Sequence, residues 1–168
     1  MNPKTHFDRL ALYNRWANRR LYDTAAALTD AQFHEDRGAF FGSVLGTLNH
    51  LLVADQIWLE RIEGTGPKHS ALNLILCDGF AELRAAREAE DERILRVVAA
   101  QPEERFEAIF AYTNTAGVSH ELPFAPVLTH IFNHQTHHRG QAHTLLSQFG
   151  LKAPVIDFVY FLADRQTQ

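Results

Sequence analysis

From Val127 to Gly150 the chain reads VLTHIFNHQTHHRGQAHTLLSQFG, an apolar pattern of helical period with five histidines threaded through it. Successive residues on an α-helix turn by about 100°, so Val127, Ile131, Ala142, Leu145 and Phe149 share one stripe, and His134 and His138 fall within about 20° of its centre. Both imidazoles therefore point inward. His130 and His137 lie roughly 60–80° away and His143 further round, which predicts solvent or pocket-edge positions for those three.

A buried imidazole needs a partner for each ring nitrogen, and a pair left unsatisfied costs several kcal/mol. Residues at i and i+4 stack on one helix face, so His134 and His138 can share one metal ion or can be hydrogen-bonded within the core. The spacing alone allows either. A third metal ligand would have to come from another helix.

Upstream, residues 5–28 contain no Gly or Pro, and Phe7, Leu10, Asn14, Ala17, Leu21, Ala25 and Leu28 recur at steps of three and four, predicting a long first helix. Asn14 occupies its stripe with Trp16 and Asn18 nearby; Asn14 either lines a pocket or is a hydrogen-bonded structural asparagine. Thr29 to Asp36 reads as a turn with a short helical segment, and RGAFFGS breaks the pattern. Ser43 is an N-cap for a second helix that runs to about Glu63 and stops at GTGP.

The second helix is apolar on two sides. Val44, Leu45, Leu48, Leu52, Leu59 and Ile62 form one broad face, and His50 points roughly opposite, beside Ala54 and Ile57. If His50 faces the core, a second copy of the chain is the simplest cover for the leucine face. If the leucine face is the core, His50 is a surface residue. The pattern favours the second arrangement.

A third helix spans GFAELRAAREAEDERILRVVAA and ends before Pro102. Arg87, Glu90 and Asp91 occupy the middle of its apolar face; of a solvated, salt-bridged surface and a buried pairing that fixes register, the first is the simpler expectation. Between Arg105 and Leu122 the period changes, and FEAIFAYT and GVSHEL flank Asn114 to Ala116, predicting a short hairpin or extended crossover. So long an excursion would allow the third and fourth long helices to run parallel. Pro123 and Pro126 precede the histidine helix, Gly150 caps it, and Asp157 to Arg165 forms a short final helix.

The resulting expectation is one all-α domain over residues 1–168, a helical bundle with a long crossover before its last long helix. An apolar share of 46% excludes bulk disorder. A net charge of −4, with arginines interleaved among acids and apolar residues, excludes a nucleic-acid footprint. A single cysteine, Cys77, rules out an intrachain disulfide and a cysteine-based zinc site. The polar start MNPKTHFDRL and the lack of any long apolar run predict a cytoplasmic protein that does not enter the membrane. No HExxH motif accompanies the histidines, which argues against a zincin peptidase.

YNRWANRRL in the first helix, GSVLGTLNHLLVADQIWLERI in the second and HIFNHQTHHRGQAHTLLSQFG followed by Asp157 together resemble the DinB-like, damage-inducible family of metal-binding four-helix bundles. The resemblance covers nearly the whole chain, and NHxxxHRGQ is its most specific part. It implies a four-helix bundle with a crossover between the third and fourth helices, a homodimer, and one divalent transition metal, zinc or nickel, held by His50, His134 and His138. For His50 this overrules the wheel and makes the leucine face of the second helix a dimerisation surface.

Three neutral imidazoles leave a coordination position open, as in catalytic rather than structural zinc sites. Related bundles include transferases and isomerases that use low-molecular-weight thiols such as bacillithiol or mycothiol. The resemblance therefore implies a metal-dependent transferase or hydrolase that activates a small thiol or water against a small electrophile. Asn14, Trp16, His137, Arg139 and Gln141 are candidate pocket or supporting residues, Arg139 alternatively at a surface or interface. Two other readings are a non-enzymatic stress-response protein binding metal or a small molecule, and a metal-free dimeric bundle with a hydrogen-bonded histidine cluster.

Overall fold

The structure, a computed structural model, describes residues 2–66, 68–69 and 71–166. In chain order the elements are α1 (Pro3–Ala25), α2 (Asp30–His34), α3 (Val44–Glu63), α4 (Phe80–Ala99), a 3-10 turn (Glu103–Glu107), β1 (Ile109–Thr113), β2 (Ser119–Pro123), α5 (Phe124–Gln148) and α6 (Phe158–Gln166). The four long helices form the bundle, and the crossover before the last of them contains the expected hairpin. Its strands are antiparallel, with Phe110 opposite Leu122 and Tyr112 opposite His120.

Local chemistry sets the helix ends. Asn2 accepts from the Thr5 amide with Pro3 at the first helical position, and Thr29 and Gln32 form a reciprocal capping box on α2. The Ser43 hydroxyl accepts from the Gly46 amide, and α3 stops where Gly64 takes a left-handed φ of 74°. Pro67, last residue of the GTGP stop, lies outside the described residues. α5 begins three residues earlier than its apolar stripe, at Phe124, so Pro126 sits inside the first turn. Amides there have no intrahelical partner, so proline costs little.

The helices pack in a square, α1 on α4, α4 on α3, α3 on α5 and α5 on α1. Cross-links give their directions. Lys4 reaches the Ala99 carbonyl while Arg84 pairs with Asp23, so α1 and α4 are antiparallel. Asp55 meets Arg87 and Glu63 meets Arg93, so α3 and α4 run parallel. The expectation for the crossover is therefore corrected: it carries the chain to the diagonal corner, where α5 runs antiparallel to α4 and parallel to α1. The parallel step lies earlier, between α3 and α4, and residues 64–79 must travel back along the bundle to make it.

The described residues of this return form a strap along α3. The Lys68 amide donates to Glu60 Oε2, a His69 ring nitrogen meets Gln56, and the Leu76 and Cys77 amides donate to Asn49 Oδ1. Asn49 Nδ2 also donates to the Cys77 carbonyl.

Apolar residues fill both ends of the bundle. One cluster holds Leu21, Leu48, Leu52, Leu83 and Leu145, the other Phe7, Leu59, Ile94, Phe124 and Leu128. Each buried leucine contributes about 2 kcal/mol. Leu48, Leu52 and Leu59 are thus covered within one chain, so the leucine face of this helix does not need the second copy expected to bury it.

Between the clusters lies a polar belt to which every long helix contributes. Arg87 donates to Asp55, Gln135 Nε2 donates to the same carboxylate oxygen, Asn14 and Asn18 donate to Asp91, and Arg139 donates to Asn14 and Asn18. Arg87 and Arg139 are each 1% exposed, so the solvated surface expected for Arg87, Glu90 and Asp91 is overturned: Arg87 and Asp91 meet partners on other helices, and Glu90 is buried with Arg93 of its own helix as its partner. Burial opposes the charge on Arg87, but Asp91 and Asp55 outweigh it and hold the guanidinium above its ordinary pKa. No helix among the described residues is long and apolar enough to cross a membrane.

Candidate metal centre

At the level of the polar belt, on the side where α3 packs against α5, three imidazoles converge. His50 Nε2 lies 3.1 Å from His134 Nε2 and 3.2 Å from His138 Nε2. Tetrahedral coordination at zinc–nitrogen distances of 2.0–2.1 Å requires nitrogen separations of about 3.3 Å. The three ring nitrogens all lie within 4.8 Å of one another, so one ion fits between them.

Hydrogen bonds on the far ring nitrogens fix the tautomers. The Leu72 carbonyl, 2.8 Å from His50 Nδ1, can only accept, so Nδ1 carries the proton and Nε2 presents its lone pair to the centre. Gln141 Oε1 does the same for His138 Nδ1 at 2.7 Å. Two lone pairs therefore face each other across 3.2 Å with no hydrogen between them. That contact is repulsive unless a proton or a cation stands in it.

A proton is disfavoured. Burial lowers the pKa of His50 to about 4, and burial with the neighbouring His138 and His50 rings lowers His134 to about 3. His138 is lowered too, by burial first. At neutral pH the three rings are uncharged, the form that ligates a metal.

The second face of His50 is covered by the Phe41 ring, stacked at 3.8 Å and 17°, which also meets His138 edge-on at 5.5 Å. Phe41 reaches this position because the residue it passes on α3 is Gly46. A Cβ there would run into the Phe41 carbonyl oxygen.

The structure thus brings together His50, His134 and His138, although the wheel had placed His50 outward. Gln141 is the supporting hydrogen-bonder. His137 is exposed, its ring edge-on to His138 at 4.7 Å and its Nε2 3.3 Å from Gln141 Nε2. Of the histidines expected at solvent, His130 is exposed and packs on Trp58, and His143 is half-buried with Nε2 3.2 Å from the Pro154 carbonyl. Asn14 and Arg139 belong to the polar belt and line no pocket at the histidines; the surface or interface position considered for Arg139 is excluded by its burial. Trp16 lies away from the site, donating to Asp164 and bordering a cavity of about 670 Å³ between α1, α4 and α6. Sequence reasoning missed Phe41, the Leu72 carbonyl and Asn49. The aromatic pair in RGAFFGS, set between two glycines, was the one visible signal.

Comparison with known proteins places this chain in a family. The sequence profile of the DinB family matches residues 1–167. The chain is 25% identical over 163 residues to Protein DinB of Bacillus subtilis (strain 168), covering 93% of both chains. The crystal structure of a DinB-like protein from Bacillus cereus ATCC 10987 superposes with a TM-score of 0.66 at 16% identity, over 85% of this chain and 90% of that one, which shows a shared fold. The chain belongs to the DinB family.

Proposed function

We propose that this protein binds one divalent transition metal ion, zinc or nickel, through His50, His134 and His138, and is a metal-dependent transferase or hydrolase acting with a small thiol or water. The observation that carries this is the pair of tautomer-fixed lone pairs on His50 and His138, aimed at one point with His134 beside them. Three imidazoles leave room for a further ligand, and they keep the full positive charge of a divalent ion in the site. When bound, such an ion lowers the pKa of a thiol or water beside it, yielding a nucleophile at neutral pH.

The chain's own residues prepare that chemistry. Leu72 and Gln141 hold two rings in the ligating tautomer, so binding requires no rotation of either. Phe41 keeps water off the face of His50. Gln135, one residue from His134, is tied to Asp55 on α3, so the helices that carry the ligands are locked in register.

The test is turnover of a chloronitroaromatic with a panel of small thiols, and of an activated ester with water, by zinc- or nickel-loaded protein. The proposal expects turnover that chelation abolishes and that His134→Ala removes while the circular dichroism of the bundle persists. Metal bound without turnover would leave a metal-binding protein of the non-enzymatic class.

A further inference from the structure

A string of rings leads away from the histidine cluster. His134 packs against His130 at 6.0 Å, His130 against Trp58 at 5.4 Å, and Trp58 against Tyr112 of the hairpin at 5.0 Å. At its far end the Arg61 guanidinium lies over both Trp58, at 4.7 Å, and Tyr112, at 5.2 Å. Arg61 makes no ion pair and no side-chain hydrogen bond among the described residues, and its Nε is buried without a partner. Other arginines on the bundle surface differ: Arg15, Arg84 and Arg93 each hold a carboxylate.

Helical geometry puts this cation on the same side as the cluster. Arg61 follows His50 by eleven residues, three turns of α3, so the two positions differ by only about 20° around the helix and about 16 Å along it. Helical side chains lean towards the N-terminus, and the seat of Arg61 over Trp58, one turn back, shows that it does. His50 leans the same way, so the guanidinium stands roughly 12–16 Å along the helix from the imidazole.

We infer that Arg61 is the anion-binding end of an extended ligand site whose other end is the histidine cluster. The ligand class is a small molecule with a metal-seeking group, such as a thiol, separated by a flat or apolar spacer from a carboxylate or phosphate. The two rings seat the guanidinium carbon and leave its terminal nitrogens without a protein partner among the described residues, so they can bind an oxyanion through two N–H donors. The spacer lies along His130 and Trp58. This inference rests on the metal-centre reading for its proximal end and on Arg61 alone for its distal end.

The two ends are tested separately by loading the protein with cobalt(II) and titrating mercaptohexanoic, mercaptooctanoic and mercaptoundecanoic acids, each against the mercaptoalcohol of equal length. The ligand-field bands of cobalt report the histidine site, and the thiolate-to-cobalt band reports ligand binding. The expected result is that one chain length of the acid binds about tenfold more tightly than its alcohol. Arg61→Gln should erase that preference while leaving the cobalt bands and alcohol binding unchanged, and Arg61→Lys should retain part of it. Equal binding of acids and alcohols at every length, or a preference that survives Arg61→Gln, would overturn the inference while leaving the metal centre intact. If no cobalt bands form, the metal-centre reading falls and this one with it.

Discussion

His50 Nδ1 donates to the carbonyl of Leu72 at 2.8 Å, so a backbone group in the return strap decides which nitrogen of the ligand faces the other two histidines. Asn49, the residue before His50, accepts from the Leu76 and Cys77 amides and so ties the strap to the same turn of α3.

Replacing Asn49 with Ala should therefore damage both the fold and the site. It strands two backbone amides, one of them Cys77 in the interior, and unpaired buried groups cost about 1–3 kcal/mol each. Urea unfolding of the metal-free protein should show a loss of about 2–4 kcal/mol, and chelator competition should show weakened zinc binding as Leu72 loses its place over His50.

Gln141→Leu should separate the two effects. The side chain is half-buried on α5; it accepts from His138 Nδ1, and its Nε2 meets the exposed His137 ring on the surface of the same helix. Loss of such an outer partner weakens metal binding by about 10–100-fold. Unfolding of the metal-free protein should move by less than about 1 kcal/mol.

The same residues explain what was legible in the sequence. The i, i+4 pair on α5 was readable because both histidines lie on the face that α5 turns to its neighbours, and helix caps at Ser43 and Gly64 fixed the ends of α3. His50 was not readable from its wheel: α3 is buried nearly all round, so an apolar face opposite a residue does not make that residue exposed. Arg87 and Asp91 were misread for a related reason. A polar residue on a core stripe looks the same in sequence whether water or Asp55, Asn14 and Asn18 satisfy it, and those partners come from other helices. The strap was invisible because its own part in the bonds to Asn49, His50 and Glu60 is mostly played by backbone amides and carbonyls, which leave no pattern in the strap's residue types.

In the polar belt, Asp55→Ala should cost about 3–5 kcal/mol in thermal or urea unfolding, because it leaves Arg87 buried beside a single carboxylate and strips Gln135 of its acceptor. Asp55→Asn keeps the shape and an acceptor oxygen and should cost less. If both substitutions left stability unchanged, the belt would not be what locks α3 against α4 and α5.

The pH dependence of the metal-free fold follows from the buried histidines. His50 and His134 titrate near 4 and 3 in the folded chain, below the ordinary histidine value, so the fold binds fewer protons than the unfolded chain. Their contribution is fully present above pH about 6.5 and is lost as pH falls towards 4 and 3. Glu90 acts in the opposite sense. Burial raises it to about 7, so its contribution is present below the ordinary carboxylate pKa and is lost as pH rises through 7. Unfolding midpoints measured from pH 4 to 8 should fall less steeply on the acid side in His134→Asn than in wild type, and Glu90→Gln should flatten the alkaline side. Identical profiles in all three proteins would contradict these assignments.

The most direct test of the central claim is elemental analysis of the natively purified, untagged protein beside His50→Ala and His134→Ala. The expected result is about one equivalent of zinc or nickel per chain in wild type, lost in both variants although one substitution lies in α3 and the other in α5. A wild-type protein that carries no transition metal, and takes up none when zinc or nickel is supplied, would contradict the account and leave the three histidines a structural cluster.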